Sequence, residues 1–124
     1  MQGGCHVRMF IVVAGLSVAS FASITAAPAN AIVGYISDTK CATSGAKAKT
    51  AAEWIQPAAF EECVKKCVKE GSTPVFVTED NKILKVDAAS SEKITQYLGH
   101  KVSVTGKVEG GTLKIDTITG LKLQ

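Results

Sequence analysis

The most reactive side chains in this 124-residue chain are the cysteines that follow its N-terminal segment. Cys63 and Cys67 stand four residues apart in the stretch FEECVKKCVKEG, and Cys41 precedes them. Cysteine thiolates can form a disulfide, ligate a soft metal ion or act as nucleophiles. The spacing of the three cysteines and the pattern around them therefore bear directly on function.

The hydrophobic pattern predicts that a helix carries the two closely spaced cysteines. Pro57 suits its first turn, apolar residues recur at helical spacing, and Gly71 supplies a C-terminal stop. The apolar stripe comprises Phe60, Cys63, Val64, Cys67 and Val68. We therefore expect both cysteines to face the core.

Cys63 and Cys67 are poor disulfide partners for each other. Four residues of regular helix separate them by about 6 Å along the axis. Their Cβ atoms stay about as far apart, whereas a disulfide needs a Cβ separation of about 3.5–4.5 Å. The C-x-x-C spacing of thioredoxin-like proteins is absent, and Val68 stands where a haem attachment would need a histidine.

A disulfide from Cys41 to one helical cysteine is the leading prediction. We expect the first two strands to be antiparallel neighbours, which brings Cys41, after the first strand, close to Cys67, shortly before the second. The favoured bond is Cys41–Cys67, with Cys63 as the alternative partner and the remaining thiol buried as a small apolar side chain. Closing a loop of about 27 residues would contribute about 3–4 kcal/mol in the chain-entropy model.

The same three cysteines could instead ligate copper or zinc, because thiols at positions i and i+4 face one way. This is the alternative hypothesis, since a structural zinc site normally has four ligands and no histidine spacing completes the set. His100 follows the second predicted helix and is interpreted as a surface residue. We predict no metal and no cofactor. No base is placed beside a cysteine, so no catalytic residue is assigned and no enzyme is expected.

Residues 1–31 have the three-part pattern of a secretory signal peptide. One arginine precedes an uncharged apolar run from Met9 to Ile24, and Ala29 and Ala31 form an A-x-A site. The apolar run is shorter than the roughly 20 residues that span a bilayer. We predict cleavage after Ala31, export to the periplasm or the extracellular space, and no stable membrane insertion after cleavage.

The remaining 93 residues, 32–124, are expected to form a single domain. They carry 13 lysines against 11 acidic residues, and the charges are scattered. Scattered lysines, and predicted strands without exposed aromatic residues, argue against nucleic-acid binding. A domain this small buries a modest core, so a disulfide would add useful stability. We expect a monomer whose partner is an unknown protein or small ligand.

The predicted elements follow the order β-α-β-β-α-β-β, with residues 39–53 as a loop that holds at most a frayed helical turn. The strands lie within residues 32–38, 73–79, 82–86 and the hairpin 101–118, and the second helix covers residues 90–99. Gly106 interrupts an alternating strand and predicts a bulge or a bend, while Gly110 and Gly111 predict a hairpin turn. This order is typical of the OB-fold, a small five-stranded Greek-key barrel. The alternative is an α+β open antiparallel sheet.

Trp54 and Asp38 are the other side chains of interest. Trp54 lies just before the first predicted helix, and we predict that it covers the core as a hydrophobic staple. Its alternative role is an exposed contact for a partner or a sugar. Asp38 ends the first strand in the sequence SDTK and is expected to accept a local turn hydrogen bond.

Three segments of the chain together resemble a group of small exported bacterial proteins of unknown function. They are GYISDTKC, CVKKCVKEG before VFVT, and YLGHKVSVTGKVEGGTLKI. The resemblance covers nearly all of residues 32–124 and implies an exported, OB-like single domain without an assigned activity. Members of that group carry a histidine a few residues after the first cysteine. Here ATSGAKA follows Cys41, which weakens the case for a Cys/His metal site.

Overall fold

Five strands and three helices make up the part of the chain that the computed structural model describes, residues 31–122. In chain order they are β1 (Ala31–Asp38), α1 (Thr39–Ser44), α2 (Phe60–Lys69), β2 (Pro74–Thr78), β3 (Ile83–Val86), α3 (Ser91–Thr95), β4 (Lys101–Glu109) and β5 (Thr112–Leu121). Short 3-10 turns occupy Ala51–Glu53 and Ala88–Ser90. None of these helices combines the length and apolar character that crossing a bilayer requires. Residues 1–30, which hold most of the predicted signal peptide, lie outside the described residues.

The strands hydrogen-bond to one another in a closed ring, in the order β1-β2-β3-β5-β4. β1 pairs antiparallel with both β2 and β4, while β3 and β5 run parallel. The sheet is therefore mixed, not purely antiparallel as the alternative prediction had it. The predicted order of five strands with helices in the first and third connections is confirmed. α1 is an additional helix in residues that the sequence placed in a loop.

The core is built from apolar side chains that the strands and helices turn inward. Its largest fully buried members include Phe76, Ile36, Ile94, Leu113 and Val64. Phe60, at the start of α2, meets Tyr35 of β1 edge to face, with ring centroids 6.2 Å apart. α2 is thereby anchored against the strand that leads into α1.

α2 exposes one of the two cysteines that the sequence placed in the core. Phe60, Val64 and Cys67 are buried, but Cys63 is exposed. The prediction that both cysteines face the core is therefore wrong for Cys63. α2 packs on the outside of the ring, so only the centre of its apolar stripe reaches the core, and Cys63 lies at one margin of that stripe. The helix begins at Phe60 instead of Pro57.

Gly106 marks a bulge in β4, as the sequence predicted. The pairing register with β5 shifts between Thr105 and Gly106. A Cβ atom at Gly106 would overlap the carbonyl oxygen of Lys114 on β5. The two backbones can approach this closely only where a side chain is absent.

We predict that Gly106→Val destabilises the fold by about 1–3 kcal/mol or more, because backbone must move to admit the side chain. Lys107→Ala, an exposed change at the next position of the same strand, serves as the control and should stay within about 0.5 kcal/mol of the wild type. Urea unfolding followed by the fluorescence of Trp54 measures both. Equal midpoints for the two variants would contradict this account of the bulge.

Candidate functional site

The three cysteines of the described chain converge at one place, between α1 and α2. The Sγ atom of Cys41 lies 3.6 Å from that of Cys63 and 3.9 Å from that of Cys67. All three sulfur atoms lie within 4.8 Å of one another. We call this set the cysteine cluster. It unites the residues of both sequence hypotheses, the disulfide and the metal site.

No pair in the cysteine cluster is at the S–S bond length of about 2.05 Å. Cys41 is slightly closer to Cys63 than to Cys67, so the geometry does not single out the favoured Cys41–Cys67 pair. The predicted disulfide remains a prediction. The arrangement supplies three sulfur donors to one point, which suits either thiol oxidation or ligation of a soft ion.

Asp38 positions Cys41 at the start of α1. This carboxylate is fully buried, and its Oδ2 accepts hydrogen bonds from the backbone N–H groups of Lys40 (3.0 Å) and Cys41 (3.2 Å). It is the N-cap of α1, which confirms the predicted local hydrogen bond of Asp38. A six-residue helix has little stability of its own, so the cap fixes where Cys41 stands.

The same carboxylate links Cys41 to the end of α2. The Ser72 hydroxyl donates to Asp38 Oδ2 at 2.7 Å, while the Ser72 N–H donates to the carbonyl of Cys67 at 2.9 Å. A continuous path of hydrogen bonds thus runs from Cys67 through Ser72 and Asp38 to Cys41. The spacing between the thiols of α1 and α2 is held by backbone and side-chain bonds outside the cluster itself.

The three thiols differ in their exposure. Cys63 is exposed, Cys41 is half-buried and Cys67 is buried. Burial, and next the neighbouring Asp38 carboxyl group, raise the pKa of the Cys41 thiol well above its usual range. Cys41 is therefore a neutral thiol at physiological pH in the free protein.

A cavity of about 540 Å³ opens beside the cysteine cluster. Its apolar wall includes the rings of Trp54 and Phe60. Its charged lining residues are Lys40, Lys66 and Glu70, which leaves the lining with one net positive charge. A positive lining attracts an anionic group bound in the cavity.

Trp54 packs against the core, as predicted, and also forms part of the cavity wall. Its indole Nε1 donates to Asn81 Oδ1 at 2.8 Å, and its ring meets that of Phe60 at a centroid distance of 6.0 Å. Its face covers Gly45, where a Cβ atom would overlap the indole. The alternative role of Trp54 as a ligand contact is still a prediction.

Asn81 lies between the second and third predicted strands, and no role was predicted for it from the sequence. Its amide Nδ2 donates to the carbonyls of Gly45 (2.9 Å) and Ala48 (2.8 Å), so it ties the segment after α1 to the β2–β3 turn. The one available signal was that Asn tolerates a positive φ, and Asn81 has a φ of 64°.

His100 does not join the cysteine cluster. Its Nε2 lies 3.3 Å from Glu61 Oε1 on the surface of the fold, and Glu61 also pairs with Lys65. Within residues 31–122, no histidine, aspartate or glutamate brings a ligand atom into the set formed by the three sulfur atoms. The sequence interpretation of His100 as a surface residue agrees with this position.

Comparison with known proteins gives no indication of function. No protein-family model, curated protein or solved structure matches this chain.

We predict that Asp38→Ala lowers the free energy of unfolding by about 2 kcal/mol, because it removes the cap of α1 and leaves its hydrogen-bond donors unpaired. Asp38→Asn keeps an acceptor oxygen and should lose less. Asp116→Ala, which removes an exposed carboxylate, is the control for the loss of an acidic side chain. Urea midpoints rank the variants, and the prediction fails if Asp38→Ala matches Asp116→Ala.

The thiols should differ in their rates of alkylation by iodoacetamide in the reduced, metal-free protein. Cys63 should react first at pH 8 because it is exposed, and Cys67 should be slow because it is buried. Cys41 should stay unreactive until the pH rises well above about 9, since its raised pKa keeps it protonated. Peptide mapping by mass spectrometry gives each rate, and labelling in urea, where all three should react alike, is the control. Equal rates for Cys41 and Cys63 at pH 8 would contradict this order.

Proposed function

We propose that the protein is an exported, OB-like binding module whose functional site is the cysteine cluster, and that this site binds a thiophilic metal ion. The observation that carries the proposal is the convergence of three sulfur atoms within 4.8 Å. Zinc–thiolate bonds of about 2.3 Å separate tetrahedral ligands by about 3.8 Å. The separations of 3.6 and 3.9 Å from Cys41 are close to that span, and the separation of Cys63 from Cys67 is at most 4.8 Å.

Several features support the OB-like part of the proposal. The ring order β1-β2-β3-β5-β4 joins five short strands, and α3 lies in the connection between β3 and β4. OB-folds bind ligands with their β1–β2 and β4–β5 loops. The cysteine cluster and its cavity belong to the β1–β2 connection, residues 39–73. The likeness to OB-folds concerns only the location of the site. The ligand chemistry of the site follows from its three sulfur atoms.

Export is supported by the sequence of residues 1–31 and by the resemblance to small exported bacterial proteins. An exported thiol protein meets oxidants and metal ions outside the cytosol, where disulfides persist. We expect the protein to be a monomer. Its partner is expected to be a protein or a small ligand that the sequence does not identify. Nucleic acid is not among the proposed partners.

A structural disulfide is the second candidate use of the cysteine cluster. It is favoured by the position of Cys41, whose sulfur lies within 4 Å of both possible partners. Oxidation would join Cys41 to Cys67, or alternatively to Cys63, and leave one free thiol. The module would then bind its ligand in the cavity without a metal.

Thiol counting and metal analysis of the purified protein distinguish these two uses. The protein is isolated after export, without chelator and under argon, and its intact mass also tests the predicted cleavage after Ala31. We expect three thiols after denaturation in acid and one equivalent of bound soft metal. One thiol and no metal, in protein that also fails to take up zinc or copper when reduced, would reject metal binding in favour of the disulfide.

Substitutions assign the metal to the cysteine cluster. Cys41→Ser, Cys63→Ser and Cys67→Ser should each abolish stoichiometric retention of the metal. Ser44→Ala alters the same cavity wall without removing a thiol and should retain it. Circular dichroism confirms that each variant is folded. Full metal retention by all three cysteine variants would place the metal elsewhere.

A further inference from the structure

We propose that the cysteine cluster is a three-coordinate site selective for a soft monovalent ion, Cu(I), over Zn(II). This inference rests on the proposed function, because it concerns the ion that the same three sulfur atoms hold. It adds the class of ion and the coordination number.

The number of available ligands is the first argument. Structural zinc sites in proteins are almost always four-coordinate. Within residues 31–122 the ligand atoms that lie within 4.8 Å of one another are the three sulfur atoms alone; the Asp38 carboxyl group neighbours Cys41 but does not join this set. The one histidine of this part of the chain lies against Glu61 instead. Cu(I) is satisfied by two or three thiolates, so the cluster is complete for Cu(I) and incomplete for Zn(II).

The type of donor gives the second argument. Thiolate sulfur is a soft ligand and selects Cu(I), zinc or iron–sulfur clusters over harder ions. An ion with metal–sulfur bonds of about 2.3 Å separates trigonal-planar ligands by about 4.0 Å and tetrahedral ligands by about 3.8 Å. The observed separations of 3.6 and 3.9 Å accommodate either geometry. Zn(II) would need a solvent molecule as its fourth ligand, whereas Cu(I) needs none, and this difference favours Cu(I).

The charges around the sulfur atoms bear on the complex with either ion. Three thiolates with Cu(I) carry a net charge of −2, and with Zn(II) a net charge of −1. Lys40 and Lys66 line the adjoining cavity and offset the negative charges of Glu70 and of the buried Asp38 beside Cys41, so the surroundings do not exclude an anionic complex of either ion. The aromatic rings of Trp54 and Phe60 on the same wall offer no lone pair to a bound ion.

The difference in exposure provides a route for the ion. Cys63 is exposed, whereas Cys67 is buried and Cys41 is half-buried. A Cu(I) ion carried by two outside thiolates can exchange one of them for Cys63 and the other for Cys41, and Cys67 then adds as the third ligand. Each exchange replaces one copper–sulfur bond by another, and the last step adds a bond. Each protein thiol releases its proton to solvent or to a departing thiolate, and copper stays in the +1 state.

The test is an anaerobic titration of the reduced, exported protein with Cu(I), in competition with the chromophoric chelator bicinchoninate. We expect one Cu(I) per chain and an X-ray absorption spectrum with three sulfur ligands and no nitrogen or oxygen. A parallel titration with Zn(II) against a zinc-binding dye should show weaker retention. Trp54 fluorescence, which arises from the wall of the same cavity, reports occupancy independently.

Variants locate the copper in the cluster. Cys63→Ser should weaken Cu(I) binding by more than about 100-fold, which exceeds the roughly 10–100-fold effect of losing an outer-shell partner. Ser44→Ala is the matched control and should stay within about 2-fold of the wild type. Because Cys63 is exposed, its substitution should leave the fold intact, and circular dichroism checks this.

The outcomes separate this inference from the proposed function. Stoichiometric Zn(II) binding that Cu(I) cannot displace would overturn the inference while the metal-binding function stands. A copper spectrum with two sulfur ligands, or with an added nitrogen or oxygen, would overturn the three-coordinate site. Failure to bind either ion would reject both proposals.

Discussion

One buried carboxylate, that of Asp38, holds together the segments on which the cysteine cluster depends. Taking a carboxylate out of water is costly unless hydrogen bonds replace its hydration. Its Oδ2 accepts three such bonds, whereas its Oδ1 is buried without a partner among the described residues. The bonds go to the start of α1 and to Ser72, just after α2. The energetic cost of burying Asp38 is thus offset by contacts that set one helix against the other.

The fold was predictable where local pattern and tertiary structure agree. The alternating residues of β4 and β5, with Gly110 and Gly111 at the turn, give the hairpin, and Gly106 gives its bulge. α1 was not predicted as a helix, because its six residues lack apolar periodicity and its stability comes from Asp38 and Ser72. The parallel pairing of β3 with β5 is also invisible locally, since it joins only two residue pairs far apart in sequence.

The site was predictable in composition but not in arrangement. Helical geometry argues against a Cys63–Cys67 bond and leaves Cys41 as the shared partner. The choice between Cys63 and Cys67 depended on where α1 crosses α2, which no local pattern encodes. Because α1 crosses beside both positions, the two thiols one turn apart flank Cys41. The exposure of Cys63 was also not predicted. The apolar stripe of α2 is wider than the face that this helix buries, and Cys63 lies at the margin of the stripe.

The constraints on Cys41 bear on which chemistry the cluster favours. A disulfide requires a thiolate to attack and the sulfur atoms to approach by about 1.5 Å from their 3.6 Å separation. Asp38 opposes both requirements, because it anchors the start of α1 and helps to keep Cys41 protonated. A cation between the sulfur atoms needs no such approach. Both reactions need thiolates, so the raised pKa of Cys41 opposes both, but only the disulfide also requires α1 and α2 to move. A gap of fixed width between α1 and α2 therefore suits an ion that occupies the gap better than a bond that must close it.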